Sequence, residues 1–382
     1  MNQSDEKNFC MPAHIANAKT IVIKLGTTLL TKSTGELNFP YMEKLISVLS
    51  ELKKRNYNII LVSSGSIGAG IGRLKMSHKP TVIPEKQAAA AVGQGLLVQY
   101  YEKYFAEFNL TVAQILLTRE DLTSRQRYNN ACNTIHTLLK WDVIPIINEN
   151  DTVSIEEIKF GDNDHLSALV AGLVDAHLLI ILTDIDGLYD AHPSTNKDAK
   201  LIQRVEEITP EIKECAGITN SKVSTGGMLT KIQAAEIAIN SGVNMIIANG
   251  VDPNNLYRIF NGENIGTLFL PKSHSLRQRE RWIAYGRIIR GEIAVDEGAQ
   301  KAIVSEGKSL LSIGIKEVKG NFDRGDMVLI TDSAGNEIAR GLVNYSAKET
   351  EKISQLPSSK ISEVLGYEYH EEVVHRDNMV VK

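Results

Sequence analysis

Uninterrupted apolar or β-branched runs recur through the first two thirds of the chain, at 20–25 (TIVIKL), 58–62 (NIILV), 112–117 (VAQILL), 143–147 (VIPII), 178–182 (LLIIL) and 245–248 (MIIA). Each is closed by Gly, Ser, Thr or Asn. A strand with one face in water alternates apolar with polar residues, so runs that do not alternate require a sheet covered on both faces. Between them lie stretches with helical periodicity at 41–54, 86–108, 130–141, 164–173 and 228–241, the last followed by Gly242 as a C-cap. Strand alternating with helix predicts a largely parallel α/β domain. In such sheets ligands bind beyond the carboxyl ends of the strands, so chemistry is expected in the residues just after each run.

The pattern changes after a polar, basic stretch at 271–281 (PKSHSLRQRER). Short β-like runs follow, punctuated by Gly291, Gly298, Gly307, Gly314, Gly320, Gly325, Gly335 and Gly341. This predicts a catalytic domain over 1–271 with its ordered core from about residue 19, a linker at 272–285, a small β-rich domain at 286–370, and a tail at 371–382. The charge balance, 42 Lys+Arg against 46 Asp+Glu, gives no global attraction to polyanions. Acidic residues outnumber basic ones 13 to 11 within 286–370, which weighs against nucleic acid as a partner. Three cysteines without CxxC spacing suggest a reducing compartment. The start is polar, and the run at 178–182 is far short of the ~20 apolar residues of a membrane-spanning helix. A cytoplasmic protein is expected, with no membrane partner.

Lys24 is followed by Gly26, Thr27 and Thr28, a set able to present a cation, backbone N–H groups and hydroxyls to phosphate oxygens; equally, it could be a lysine beside a turn. Ser63 to Gly72 invites a dinucleotide-binding reading, but Arg73 stands where the third glycine belongs. What remains is a small-residue loop opening a helix, fit for an anion or needed for its dihedrals alone. Gly307-Lys308-Ser309 ends like a P-loop, yet Ala302 occupies the first glycine position. Any ATP is therefore bound without a P-loop. The densest polar cluster pairs Asn148-Glu149-Asn150-Asp151 with Gly161-Asp162-Asn163-Asp164. Such loops can receive an ammonium group, a magnesium ion or a lysine, although Asp162 or Asn163 could simply cap the following helix. Thr183-Asp184 follows another strand, and Thr225-Gly226-Gly227-Met228-Leu229-Thr230-Lys231 puts two glycines before a helix with a lysine one turn in. Two lysines and two glycine loops are the equipment of phosphoryl transfer. No histidine stands in a zinc-binding spacing, and no Gly-x-Ser-x-Gly elbow occurs.

In this order the motifs 22–27 (VIKLGT), 62–67 (VSSGSI), 148–151 (NEND), 161–168 (GDNDHLSA), 182–184 (LTD) with 187–189 (GLY), and 225–231 (TGGMLTK) resemble the glutamate 5-kinases of the amino acid kinase family. The segment 286–370 is similar to a PUA module. The resemblance covers nearly the whole chain and implies a three-layer αβα sandwich with a mainly parallel sheet. It implies transfer of the ATP γ-phosphate to the γ-carboxylate of L-glutamate, the first step of proline biosynthesis, with Mg2+ accompanying ATP. By similarity Ser64, Asp151 and Asn163 bind glutamate and Asp164 supports that pocket. Lys24 and Lys231 lie against the transferring group, and Asp162 orients them. Thr183, Asp184 and the segment Thr225, Gly226, Gly227, Met228, Leu229, Thr230, Lys231, together with Lys24, hold ATP; no side chain is assigned to the metal. Inhibition by proline, hand-off to glutamyl phosphate reductase, and a homodimer or homotetramer are further implications. Another amino acid kinase specificity would predict ACT-like repeats or a chain ending near Pro271. An RNA-binding role through the PUA domain is the other alternative.

Overall fold

A computed structural model describes residues 18–32, 34–154, 163–191, 193, 196–218, 227–271, 289–367 and 370–382, the side chains of Thr123 and Arg125 excepted. The chain divides into two compact units that part at Ser275–Leu276 in sequence.

The first unit is built on β1 (Thr20–Leu25), β2 (Asn58–Ser63), β3 (Val112–Leu117), β4 (Ile144–Glu149), β5 (Leu178–Thr183), β6 (Arg204–Val205), β7 (Asn244–Asn249) and β8 (Thr267–Phe269). They form one sheet in the order β3-β4-β2-β1-β5-β7-β8-β6. Every pairing is parallel except that of β7 with β8. The named helices are α1 (Phe39–Lys54), α2 (Ser66–Leu74), α3 (Ile83–Ala106), α4 (Arg125–Lys140), α5 (Asn163–Leu173) and α6 (Met228–Asn240). Alternate strand residues face opposite layers. Ile21, Ile23, Leu25, Ile59 and Leu61 share a core with Leu45, Leu49 and Leu52 of α1 and with Leu97, Tyr101 and Phe105 of α3. Val22, Ile60, Val62, Leu179 and Ile181, equally buried, point the other way. On that side α5 packs on β1, β2 and β5, and α6 packs on α5 and β7. Both faces are thus covered, which accounts for the missing alternation in the sequence. Gly242 adopts the left-handed φ of +77° that a helix C-cap favours.

From β1 the chain passes to β2 on one side, fills that half with β4 and β3, and then crosses to β5 on the other side of β1. That reversal is a topological switch point, and the crevice beyond the carboxyl ends of β1, β2 and β5 is where the fold favours a ligand.

The glycines of residues 65–72 do a job that their spacing does not reveal. Gly65, at φ +101°, makes the turn from β2, and α2 then runs from Ser66 to Leu74. A Cβ on Gly70 would lie 1.9 Å from the Ala89 carbonyl oxygen, and one on Gly93 would lie 1.8 Å from that of Ser66. These glycines let α2 and α3 touch backbone to backbone. From Ser66 onward the segment is a helix pressed against its neighbour.

The second unit has its own core, including Ile293, Phe322, Val328, Ile330 and Tyr345. Its strands are β9 (Ile289–Val295), β10 (Leu310–Leu311), β11 (Ile315–Gly320), β12 (Met327–Thr331), β13 (Glu337–Leu342), β14 (Glu372–Val374) and β15 (Met379–Val381). Five form one sheet, β11-β9-β12-β13-β15, while β10 pairs with β14. Residues 371–382, expected as a tail, therefore supply two strands of this unit. Runs of three residues are too short to announce themselves by periodicity. No helix among the described residues is long and apolar enough to cross a membrane.

Candidate active site

Lys24 is the penultimate residue of β1, on the opposite face from Ile23 and Leu25, and its side chain is buried. Asp164 lies in the first turn of α5 and is fully buried; Lys231 lies in the first turn of α6 and is 4% exposed. The three converge. Lys24 Nζ stands 2.6 Å from Asp164 Oδ1, and Lys231 Nζ stands 3.1 Å from Oδ2. Thr230 Oγ1 donates to the same Oδ2 at 3.0 Å. Burial alone would raise the Asp164 pKa, but the Lys24 and Lys231 ammoniums outweigh it and hold the carboxyl down at about 2. Gly227, the N-cap of α6, offers no side chain to the first backbone N–H groups of that helix.

A second network lies beside the first. Asn163, immediately before Asp164, directs Nδ2 to the Ser63 carbonyl (3.2 Å), Ser64 Oγ (2.9 Å) and Asn148 Oδ1 (2.9 Å). This nitrogen bonds across to the β2 end and to Asn148 of β4. Successive residues of a helix are rotated by ~100°, so neighbours in sequence serve different partners: Asn163 the β2–β4 side, Asp164 the lysines. Asp151, in the turn after β4, accepts from Ser66 Oγ at 3.0 Å, where α2 begins. Ser63 Oγ is 2.9 Å from the hydroxyl of Tyr101, which burial pushes above its ordinary pKa; this tyrosine buttresses the β2 end from below.

The remaining expected residues fall as follows. Thr183 ends β5 buried, its Oγ1 donating to Asp184 Oδ1 at 3.1 Å, and Asp184 is exposed. Met228 is buried in the unit while Leu229 is 42% exposed. Asp162, Thr225 and Gly226 lie outside the described residues. Gln94 and Tyr101 did not stand out in the sequence. Their signal was present: polar groups at i−3 and i+4 of Leu97 on a buried helical stripe. Among the described residues no group of three or more His, Cys, Asp or Glu could hold a metal ion.

The sequence matches the amino acid kinase family over residues 19–249 and the PUA domain over 291–365. Curated relatives include the glutamate 5-kinase of Caldanaerobacter subterraneus subsp. tengcongensis, 55% identical over 94% of this chain and 97% of its own. Those of Moorella thermoacetica, at 51%, and Geobacter sulfurreducens, at 49%, each align over 96% of this chain. The latter two are covered over 97% and 98% of their own lengths.

Proposed function

The chain belongs to the amino acid kinase family, beside the glutamate 5-kinases, and from that premise we propose that it transfers the ATP γ-phosphoryl group to the γ-carboxylate of L-glutamate. The observation that carries this reading is Asp164 shared between Lys24 and Lys231 at the switch point, next to the Ser64–Asn163 network.

A γ-carboxylate has a reference pKa near 4.3, so at neutral pH it is already an anion and needs no general base. Its oxygen forms a bond to phosphorus as the bond to the β,γ-bridging oxygen breaks, giving an acyl phosphate and ADP. The barrier is repulsion between two anions. Lys24 and Lys231 offset it as preorganised cations in a buried site, and Asp164 holds both in place. Asp151 and Ser64 would take the amino acid head group, with Asn163 between them. Thr183, Asp184 and residues 227–231 would take the nucleotide, with Thr225 and Gly226 assigned there, and Asp162 assigned to orienting the lysines, on sequence alone. A magnesium ion arriving with ATP would supply neutralisation of phosphate charge, and no side chain is assigned to it.

The test is ADP release compared among glutamate, aspartate and glutamine under magnesium-ATP, with hydroxylamine present to trap the acyl phosphate. Glutamate alone should give both ADP and hydroxamate. Equal release from all three, or no hydroxamate, would refute the assignment. A chain ending at Pro271 should keep this activity, because the assigned residues all precede that point. Because the product is labile to water, direct transfer to glutamyl phosphate reductase is part of the same proposal.

Proline shares glutamate's α-carboxylate and cationic α-nitrogen but lacks the acceptor carboxylate. A pocket around Ser64, Asp151 and Asn163 can hold that head group without reaction. Proline should therefore raise the apparent KM for glutamate and leave that for ATP nearly unchanged in steady-state kinetics. Equal effects on both would place the inhibitor elsewhere.

A further inference from the structure

Gln94 sits on α3, on the stripe that also carries Leu97 and Tyr101, and is 7% exposed. Its Oε1 accepts from Asn148 Nδ2 at 2.7 Å. The direction of this bond is fixed by what surrounds Asn148. The backbone N–H of Glu149 and the Nδ2 of Asn163 both donate to Asn148 Oδ1, each at 2.9 Å. Reversing the Asn148 amide would set its nitrogen against two donors, so Asn148 has to present nitrogen to Gln94, and Gln94 has to answer with oxygen. The Gln94 Nε2 group is then committed as a donor. It is buried and has no hydrogen-bond partner among the described residues. Native interiors rarely keep such a group, because an unmade buried N–H is costly and a methionine or leucine would fill the same space without it.

The location indicates what the donor is for. Through Asn148, Gln94 adjoins Asn163 and Ser64. Through Gly93, whose Cα side lies against the Ser66 carbonyl, it adjoins the residue whose hydroxyl holds Asp151. It is thus linked, by the hydrogen bond to Asn148 and by the packing of its neighbour Gly93 on Ser66, to both groups assigned above to the acceptor substrate. We propose that Gln94 is a specificity-determining residue of the acceptor site, its Nε2–H donating to a carboxylate oxygen of the acceptor amino acid. This inference rests on the glutamate reading.

Two variants separate the donor from the acceptor end of the side chain. Gln94→Glu keeps an oxygen for Asn148 and replaces the N–H with a second oxygen; Gln94→Met keeps the length and removes both. Glutamate binding is measured by isothermal titration without nucleotide, and KM for glutamate and for ATP by steady-state kinetics, with thermal melts to establish folding. Both variants should weaken glutamate binding and raise its KM by roughly 10- to 100-fold, with the KM for ATP within about twofold of wild type. Gln94→Glu should be at least as impaired as Gln94→Met. If Gln94→Glu binds glutamate like wild type, the contact with Asn148 is all that Gln94 supplies and the proposal fails; it fails equally if neither variant differs. Should either not fold, Gln94→Asn, which withdraws the amide by one methylene, replaces it with the same outcomes in force. Wild-type protein that binds no glutamate would overturn the functional reading and this inference together, whereas wild-type binding with unchanged variants overturns this inference alone.

Discussion

Lys231→Ala and Lys24→Ala should each lower kcat for glutamate-dependent ADP release by about 10²–10³, with a much smaller rise in glutamate KM. The reason lies in where the ammoniums stand. Both are buried and both lean on Asp164, one from the end of β1 and one from the first turn of α6. Their charge is therefore fixed before substrate arrives, and it acts most strongly on the charge that shifts between attacking and leaving oxygens during transfer. An interaction made mainly in the transition state reduces kcat when removed, whereas uniform binding would change KM alone. Folding should be largely spared, because each single variant leaves Asp164 one lysine: Lys231 at 3.1 Å in Lys24→Ala, and Lys24 at 2.6 Å in Lys231→Ala. A melting curve beside the kinetics checks this. Unchanged kcat in a folded variant would remove that lysine from the mechanism.

What the sequence made legible follows from which forces are local. Strands covered on both faces are written as continuous apolar runs, so β1 to β5 and β7 could be read directly, and the position of Lys24 near the end of β1 came with them. The antiparallel edge strand β8 and the two-residue β6 were invisible, being too short to carry a period. Gly70 looked like loop chemistry, because the demand on it comes from contact with a helix residue nearly twenty positions away, at Ala89. The same limit applies to the paired acids at 162 and 164. Sequence similarity assigned the orienting of the lysines to Asp162 and the support of the glutamate pocket to Asp164. In the structure it is Asp164 that meets both lysines, while Asp162 lies outside the described residues. Residues so close in sequence are told apart by helical rotation against partners drawn from distant strands, and a single sequence does not contain that phase.

Asp164→Asn should cost more stability than either lysine variant, although it is the smallest change in shape. The amide keeps the volume and can accept from one donor, but it removes the sole anion that Lys24 and Lys231 share among the described residues. Two ammoniums then lie in a low-dielectric interior with no countercharge from this position. Breaking a buried ion pair by removing one partner typically destabilises by about 3–5 kcal/mol, equivalent to about 6–20 °C in Tm for a unit of this size. The pH dependence gives a sharper signature. The native Asp164 carboxyl is held down at about 2, below the ~3.9 expected in the unfolded chain. Its stabilising contribution is thus fully present above ~4 and is lost as pH falls through about 2. Wild-type and Asp164→Asn melting temperatures should therefore differ by a constant amount between about pH 5 and 8 and converge below about pH 4, where the wild type begins to lose what the variant never had. Parallel curves down to pH ~2 would mean that the deficit comes from packing and not from the charge. A Tm at pH 7 within about 2 °C of wild type would mean that Asp164 is not what holds the two lysines in the fold.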